Sequence, residues 1–459
     1  MTAADATGGA GDAGEVGEVS ESPDAGSRSK LRFVLRSAAG LATSTVATAG
    51  IGFIYWAVAA RSFPAASVGE SSTAISAVSL LAPLSIFGVG TLMMVRLPAM
   101  QQGRSSLVST ATLAASLNAA LISLVCALVL PGSFLGLPGA GHGPIATFVF
   151  IALVVSQTVC LVVDQAFLAV AGSGIQLIRN LIQAVAKLVL LAVLALTMVR
   201  FGSLAIVISW LLANVISVVV VVIMLGRRYR VSLRRAIPRL SALRGTRFAA
   251  VKHHGLNTAL FVPYFAMPIV ANVMLGSEQA AYLYATWSLA GFVFFMPMAL
   301  VWALFASGVR DSRTFVMEFR FTLRFALLIC TAAVVLIIVF GKLALGIFGA
   351  AYAENGYVVL MVLALGGLGA IIRDHHVTLA RVIGNEGRES ALIAPLGALE
   401  IVGAAVGAHV GGLIGLSLGW LAAIAVEVLV CGPLVWRTYR GRVAVPAHVM
   451  AGLETGEGV

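Results

Sequence analysis

Residues 203–225 read SLAIVISWLLANVISVVVVVIML, and Gly226 then leads into Arg227-Arg228-Tyr229-Arg230. The run has 23 residues and no charge, which is long enough for a helix to cross the roughly 30 Å hydrocarbon core of a bilayer. Arginines directly after such a run mark the side of the membrane that retains positive charge. This stretch therefore predicts a transmembrane helix whose carboxyl end is cytoplasmic.

Similar apolar runs recur along the whole chain, which is 60% apolar and 11% charged and has a mean hydropathy of +1.01. A soluble core cannot bury that much apolar surface. The sequence therefore predicts an all-α integral membrane protein with about 12 transmembrane helices. The predicted spans are Ser37–Ala60, Ser72–Val95, Ser105–Leu130, Pro144–Ala171, Gln176–Val199, Ser203–Leu225, Gly255–Gly276, Gln279–Ser307, Phe321–Phe340, Tyr357–Ile372, Ser390–Val410 and Leu413–Trp436.

Basic residues are distributed unequally between the two sides of these spans. With the amino terminus inside, the inner segments hold 26 of the 30 Lys and Arg residues; the outer loops hold only Arg61, Arg200 and Lys342. Inserting or removing one span would destroy this alternation, so it supports twelve spans with both termini cytoplasmic. It also accounts for the net charge of +11 without nucleic acid as a partner. We expect a multi-pass protein of a bacterial cytoplasmic membrane.

The predicted spans divide into two halves of six. Because six is even, both halves enter from the same side, as in transporters built from parallel repeats that bind substrate between them. Pro263 and Pro268 would bend the seventh span, either as a static kink or as a moving element. The predicted units are a disordered cytoplasmic tail (1–30), an N-terminal six-helix bundle (31–225), a basic cytoplasmic linker (226–254), a C-terminal six-helix bundle (255–436) and a cytoplasmic tail (437–459).

Motifs of enzymatic chemistry are missing from the sequence. The four cysteines lie in apolar spans without disulfide or zinc spacing, and no P-loop Gly-Lys-Ser/Thr is present. We therefore predict no enzyme, no cofactor and no metal. A membrane-embedded glycosyltransferase or polymerase is the alternative from another class. It would need a catalytic acid at the membrane edge and a long outer loop, but the outer loops are short and only Glu70 lies at that edge.

Four ionisable residues fall inside predicted spans: Asp164, Lys187, Glu400 and Glu427. A charge at the bilayer centre costs roughly 2.5–3.5 kcal/mol, so such residues persist where a cavity or a partner compensates. Glu400 and Glu427 have no cation in their own spans, which favours exchange of protons or cations. Neutral, hydrogen-bonded carboxyl groups are the alternative. The candidate ion-coupling residues are Asp164, Glu400 and Glu427.

A polar stripe runs along the fifth predicted span, with spacings of four, three and four residues that place its members on one helix face. A shorter stripe on the neighbouring span has two members seven residues apart. Because a polar face cannot point into lipid, we predict that both stripes line a substrate cavity for an anionic ligand. A buried ion pair between Asp164 and Lys187 is the alternative. The stripe residues are Gln176, Asn180, Gln183 and Lys187, with Gln157 and Asp164 opposite.

The exit of the first span carries a recognisable motif. It reads Gly52-Phe53-Ile54-Tyr55-Trp56-Ala57-Val58-Ala59-Ala60-Arg61-Ser62-Phe63-Pro64, then Val68-Gly69, and the second span ends Val95-Arg96-Leu97-Pro98. This stretch, from about Gly40 to Pro98, resembles the opening of bacterial polysaccharide flippases (Wzx-type O-antigen and exopolysaccharide transporters). They belong to the multidrug/oligosaccharidyl-lipid/polysaccharide exporter (MOP) superfamily. In that family the Ala-Arg pair, a following aromatic residue and the later glycine mark the first outside loop.

The resemblance implies a V-shaped pair of six-helix bundles that flips an undecaprenyl-pyrophosphate-linked oligosaccharide to the outer leaflet by alternating access. It implies as partners the lipid-linked oligosaccharide, membrane lipids, and polysaccharide polymerase and chain-length proteins. Two features depart from other branches of the superfamily. The first span lacks the acid that drug/proton exporters usually place there, and twelve spans are fewer than the fourteen usual in lipid II flippases. A proton- or cation-coupled small-molecule or drug antiporter of the same superfamily stays open as the alternative.

Overall fold

The structure, a computed structural model, describes residues 48–86, 89–100, 103–137, 143–226, 249–308 and 315–442. The predicted N-terminal tail, most of the predicted linker and the end of the C-terminal tail lie outside these ranges. Within them the secondary structure is entirely helical. The helices are α1 (residues 48–62), α2 (Ala65–Ile86), α3 (Val89–Ala99), α4 (Arg104–Val129), α5 (Gly132–Leu135), α6 (Pro144–Ala171), α7 (Ser173–Thr197), α8 (Ser203–Gly226), α9 (Ala249–Leu275), α10 (Ser277–Gly308), α11 (Phe315–Gly346), α12 (Ala350–Ile383) and α13 (Glu386–Tyr439).

These helices match the predicted spans, so the all-α membrane fold is confirmed. Among the described residues, eight helices are long and apolar enough to cross a membrane. One of them, α13, supplies two spans, because its backbone leaves helical geometry at Gly411 and Gly412. We call the parts before and after this bend its first and second arms. The remaining predicted spans fall on α1, on α2 with α3, and on α10.

The polar face of α7 shows how the sequence orients a helix in the bilayer. Val185, Val189 and Val193 are about half exposed on the lipid side, whereas Ala184 and Lys187 are buried in the bundle. Apolar side chains gain nothing by leaving lipid for a protein interior, so polar groups and close packing determine which face turns inward. Of the α7 stripe, Lys187 is buried, whereas Gln176, Asn180 and Gln183 are half-buried.

Glycines bring the two arms of α13 into backbone contact. A Cβ atom on Gly419 would lie 2.0 Å from the carbonyl oxygen of Gly403, and one on Gly407 would lie 2.0 Å from that of Gly415. Only glycine permits helices to approach this closely in a membrane. These small residues are thus packing positions.

The two halves meet at the end of the bundle that carries Arg61, which the charge distribution predicts to be outside; we call it the predicted outer end. Arg61 Nη2 donates to the Gly346 carbonyl at 2.6 Å, and its Nε donates to that of Ile347 at 2.9 Å. Asn272 Nδ2 donates to the Ser133 carbonyl at 2.6 Å. The halves are therefore closed against each other at this end.

Candidate functional site

An ion pair joins α6 to α7 in the interior of the N-terminal half. Arg179 Nη2 donates to Asp164 Oδ2 at 2.7 Å, and its Nε donates to Asp164 Oδ1, so the contact is bidentate. The two side chains are only 5% and 7% exposed. The predicted alternative of an Asp164–Lys187 pair is therefore wrong. The reason is depth: Asp164 and Arg179 lie almost equally far from the turn at Gly172, whereas Lys187 lies about 10 Å deeper than Asp164.

The amide side chains of the predicted stripes bond to one another through a residue of α8. Gln183 Nε2 donates to Asn214 Oδ1 at 3.0 Å, and Asn214 Nδ2 donates to Gln157 Oε1 at 3.1 Å. This network ties α6, α7 and α8 together inside the N-terminal half. Asn180 accepts a hydrogen bond from Arg179, and Gln176 is half-buried near the start of α7.

Lys187 lies apart from both the ion pair and the amide network. Its side chain is buried, and its Nζ lies 4.0 Å from the ring centroid of Trp210 and 5.2 Å from that of Tyr55. The Tyr55 hydroxyl also donates to the Ile206 carbonyl at 3.1 Å, which fixes the ring. No described carboxylate pairs with Lys187, so two aromatic faces surround its charge.

A second charged group lies in the C-terminal half, and Arg373 is at its centre. Its Nη1 lies 3.2 Å from Glu400 Oε1 and 3.3 Å from Glu427 Oε2, while its Nε lies 3.3 Å from Asp374 Oδ1. We call these four residues the Arg373 cluster. Arg373 was expected in an inner loop, because its predicted span ends at Ile372; that expectation is wrong. α12 continues to Ile383, which turns the guanidinium into the bundle.

The Arg373 cluster holds three carboxylates against one guanidinium. Glu400 Oε2 accepts a further hydrogen bond of 2.6 Å from Trp420 Nε1. Glu427 is 1% exposed, and its Oε1 has no hydrogen-bond partner. Among the described residues no three His, Cys, Asp or Glu side chains converge as metal ligands. The cation at the centre of the cluster is Arg373.

An aromatic-lined cavity of about 120 Å³ adjoins this cluster. The residues that line it include Tyr264, Trp287, Phe294 and Trp420, together with Arg381 and Asn257. The rings contact one another in sequence, with centroids 5.3 Å apart for Tyr264–Trp287 and 5.2 Å for Trp287–Trp420. Arg381 Nη2 donates to Asn257 Oδ1 at 2.8 Å. The cavity thus offers stacking faces, guanidinium donors and carboxylate acceptors in one place.

Aromatic contact also crosses between the halves. The rings of Trp56 on α1 and Tyr284 on α10 have centroids 4.5 Å apart, and Trp56 lies 6.3 Å from Trp210. Trp210 is the ring nearest to Lys187. The rings that surround Lys187 are therefore in contact, through Trp56, with the surface where the two halves meet.

Comparison with solved structures identifies the fold of this chain. No protein-family model and no curated protein matches the sequence. An inward-facing multidrug resistance MATE family transporter of the MOP superfamily matches with a TM-score of 0.66 and 15% identity, over 86% of this chain and 96% of that one. The chain has the fold of the MATE transporters. This confirms the predicted V-shaped exporter fold of two six-helix bundles.

Two further structures share the MATE fold. An outward-facing MATE family transporter matches with a TM-score of 0.60 and 13% identity, over 89% of this chain and 96% of that one. A MOP superfamily transporter from Pyrococcus furiosus, described by the reverse polarity of its binding pocket, gives 0.58 and 14%, over 88% and 96%. At these identities the likeness concerns the fold, so the function of this chain has to be argued from its own residues.

Within the MATE fold, each half has its own buried charge cluster. The sequence singled out Asp164, Glu400 and Glu427 but not Asp374, the cationic partners Arg179 and Arg373, or the hydrogen bond from Trp420. One signal was available for Arg179, because its distance from the α6–α7 turn equals that of Asp164 to within one residue. No comparable signal existed for Arg373, because its partners Glu400 and Glu427 belong to the two arms of α13.

Proposed function

We propose that this protein is a membrane transporter that moves a lipid-linked oligosaccharide across the membrane by alternating access. The observation that carries the proposal is the cavity beside the Arg373 cluster, where stacked aromatic rings adjoin guanidinium and carboxylate groups. Sugar rings have apolar faces and carry hydroxyl groups around their edges. They therefore bind well to a wall that combines aromatic rings with hydrogen-bonding groups. The motif around Arg61, which resembles polysaccharide flippases, supports the same substrate class.

The volume of the cavity limits what it can hold. Pockets for drug-sized ligands measure about 300–1,000 Å³, whereas this cavity measures about 120 Å³. It would therefore accept one ring or one headgroup of a larger substrate, with the rest outside. A guanidinium is the planar group that recognises phosphate oxygens, and the cavity is lined by Arg373 and Arg381, which fits a pyrophosphate between sugar and lipid.

Alternating access would open the predicted outer end, which is closed in this structure. Opening requires Arg61 to release the carbonyl groups of Gly346 and Ile347 and the Trp56–Tyr284 contact to separate. Each of these contacts joins one half to the other, so a rigid-body movement of the halves would break them together. We further propose that the protein lies in a bacterial cytoplasmic membrane with both termini cytoplasmic, and that polysaccharide polymerase and chain-length proteins use its product.

The test is complementation of a deletion strain, with lipid-linked glycans measured by mass spectrometry and surface polysaccharide by gel. Loss of the gene should cause undecaprenyl-linked repeat units to accumulate and surface glycan to disappear. Trp287→Leu should fail to restore export, whereas Phe321→Leu, a matched change on the lipid-facing side of α11, should restore it. Unchanged glycan in the deletion strain would refute the proposed substrate.

Lys187 needs its own variant, because it was predicted to contact the anionic part of the substrate. Lys187→Met keeps the length of the side chain and removes the charge. If Lys187 attracts the substrate, this variant should accumulate precursor at normal protein levels. Full export by Lys187→Met would mean that the cation only fills the space between Tyr55 and Trp210.

A second candidate function is antiport of a small molecule against protons or cations. The excess of carboxylates in the Arg373 cluster favours it, since a proton or cation would neutralise the charge that one guanidinium leaves uncompensated. This function predicts pH-dependent efflux that is lost in Glu427→Gln, measured in inverted vesicles with a fluorescent cation. Unchanged drug tolerance in a deletion strain with altered glycan would dismiss it.

A further inference from the structure

An apolar groove lies on the outside of the C-terminal half, away from the cavity described above. It has a volume of about 410 Å³ and runs between α11, α12 and the second arm of α13. Leu327, Ile372, Val428 and Val435 line it. Leu328 and Leu429, which are adjacent in sequence to the lining residues Leu327 and Val428, are 65% and 74% exposed. The groove therefore opens toward lipid.

One residue at the floor of the groove, Gly432, has open space beside its backbone. A Cβ atom on Gly432 would have no other atom within 4 Å, although the residue lies in the middle of the second arm of α13. From Val428 to Trp436 the helix rises about 12 Å. One leaflet of the hydrocarbon core is about 15 Å deep, so the groove spans most of one leaflet.

Aromatic and basic side chains close the groove at the predicted inner end. Trp436 and Tyr439 stack with their centroids 5.6 Å apart at an angle of 5°, as interfacial aromatic residues do near the headgroups. Arg324 Nε donates to the Tyr439 hydroxyl at 2.7 Å, and Arg320 Nε donates to the Tyr439 carbonyl at 2.6 Å. Arg440 lies over the Trp436 ring, 4.6 Å from its centroid.

These arginines keep most of their donors available. Arg320 and Arg324 each use one Nε–H in these bonds, and a guanidinium has five N–H groups. In the part of the chain that the structure describes, no carboxylate forms an ion pair with Arg320, Arg324 or Arg440. Three exposed cations without an acidic partner, at the headgroup end of an apolar groove, are complementary to an anionic lipid.

We propose that this groove binds one anionic glycerophospholipid, with an acyl chain against Gly432 and the phosphate on Arg320 and Arg324. Tyr439 contacts both guanidinium groups, Arg324 through its hydroxyl and Arg320 through its carbonyl oxygen. The lipid is a bound component of the C-terminal half, and its site is separate from the proposed transport cavity. The proposal does not depend on which substrate the protein carries.

Native mass spectrometry of the full chain in detergent tests this site with phosphatidylglycerol and phosphatidylcholine as probes. The wild-type protein should retain one phosphatidylglycerol in preference to phosphatidylcholine. Arg324→Gln should weaken binding of phosphatidylglycerol about fivefold, which corresponds to one cation near an anionic lipid, and Arg320→Gln should act similarly. Arg388→Gln removes an exposed arginine from the start of α13 and should change nothing.

The apolar part of the groove has a separate variant. Gly432→Leu places a side chain on the open floor, at a position where a Cβ atom has nothing within 4 Å, so it should reduce the occupancy of both lipids while leaving the melting temperature unchanged. Gly52→Leu, also a helical position with nothing within 4 Å of its Cβ but on α1 in the other half, is the matched control. Equal retention of the two lipids by the wild-type protein, or unchanged retention in Arg324→Gln and Gly432→Leu, would overturn the proposal.

Discussion

Removing the guanidinium from the Arg373 cluster should destabilise the C-terminal half strongly. Arg373→Met keeps the approximate length of the side chain and leaves Glu400, Glu427 and Asp374 without a cation. Breaking a buried ion pair by deleting one partner costs about 3–5 kcal/mol, because the remaining charge stays buried and unpaired. The Arg373 side chain is 16% exposed, but those of Glu400 and Glu427 are 5% and 1% exposed, so water cannot compensate for the loss.

The loss in the free energy of unfolding should depend on which partner in the cluster is removed. Glu427→Gln leaves Arg373 paired with Glu400 and Asp374, and it removes a carboxylate whose Oε1 has no hydrogen-bond partner. It should therefore cost less than about 1 kcal/mol. Adding Glu427→Gln to Arg373→Met should recover part of the loss, giving a coupling energy of about 1–3 kcal/mol, as expected for residues in one network.

The assay is reversible unfolding of the purified protein in mixed micelles, titrated with a denaturing detergent, for the two single variants and the double variant. Because the carboxylates that Arg373→Met leaves behind can take up protons, its deficit in unfolding free energy should shrink as the pH is lowered. A loss below about 1 kcal/mol for Arg373→Met, or additive effects in the double variant, would refute the assignment of these contacts as one buried network.

Three other predictions concern the remaining contacts. Arg179→Ala should cost about 3–5 kcal/mol in the same unfolding assay, and Asp164→Asn in the same chain should restore part of it; additive losses would contradict the ion pair. Gly419→Leu should separate the arms of α13 and lower the melting temperature, whereas Gly411→Ala, which has open space around its Cβ, should not; equal melting temperatures would contradict the close packing. Arg61→Ala should increase thiol labelling of a cysteine placed at the predicted outer end in a cysteine-free protein, and unchanged labelling would show that its two hydrogen bonds do not hold this end closed.

The sequence was sufficient to predict the helical spans because lipid imposes one requirement on every residue of a span. A backbone in hydrocarbon must satisfy its own hydrogen bonds, so an apolar run of adequate length has to be a helix. The run 203–225 became α8 for this reason. The distribution of arginine between the two sides predicts which ends of the spans are cytoplasmic.

Helix ends were harder to predict, and they decided the candidate site. A hydropathy argument ends a span at its first charges, so the tenth span was predicted to end at Ile372. The helix continues to Ile383, because backbone hydrogen bonding does not stop where lipid stops. Arg373 consequently lies inside the bundle, where carboxylates from both arms of α13 offset its desolvation. Such partners come from distant parts of the chain, and no local pattern specifies them.

The two buried clusters differ in charge balance, and the difference favours the C-terminal half as the place where ions would act on transport. Asp164 and Arg179 neutralise each other one to one through a bidentate contact, so neither an added proton nor an added cation is required. The Arg373 cluster has three carboxylates for one guanidinium, and it borders the cavity in which the substrate is proposed to bind. Protonation of Glu427 would weaken the ion pair between Glu427 and Arg373. The guanidinium would then remain paired with Glu400 and Asp374, which line the cavity. Binding of an anionic group beside Arg373 and protonation of Glu427 would then favour each other, which couples the two events through a single side chain.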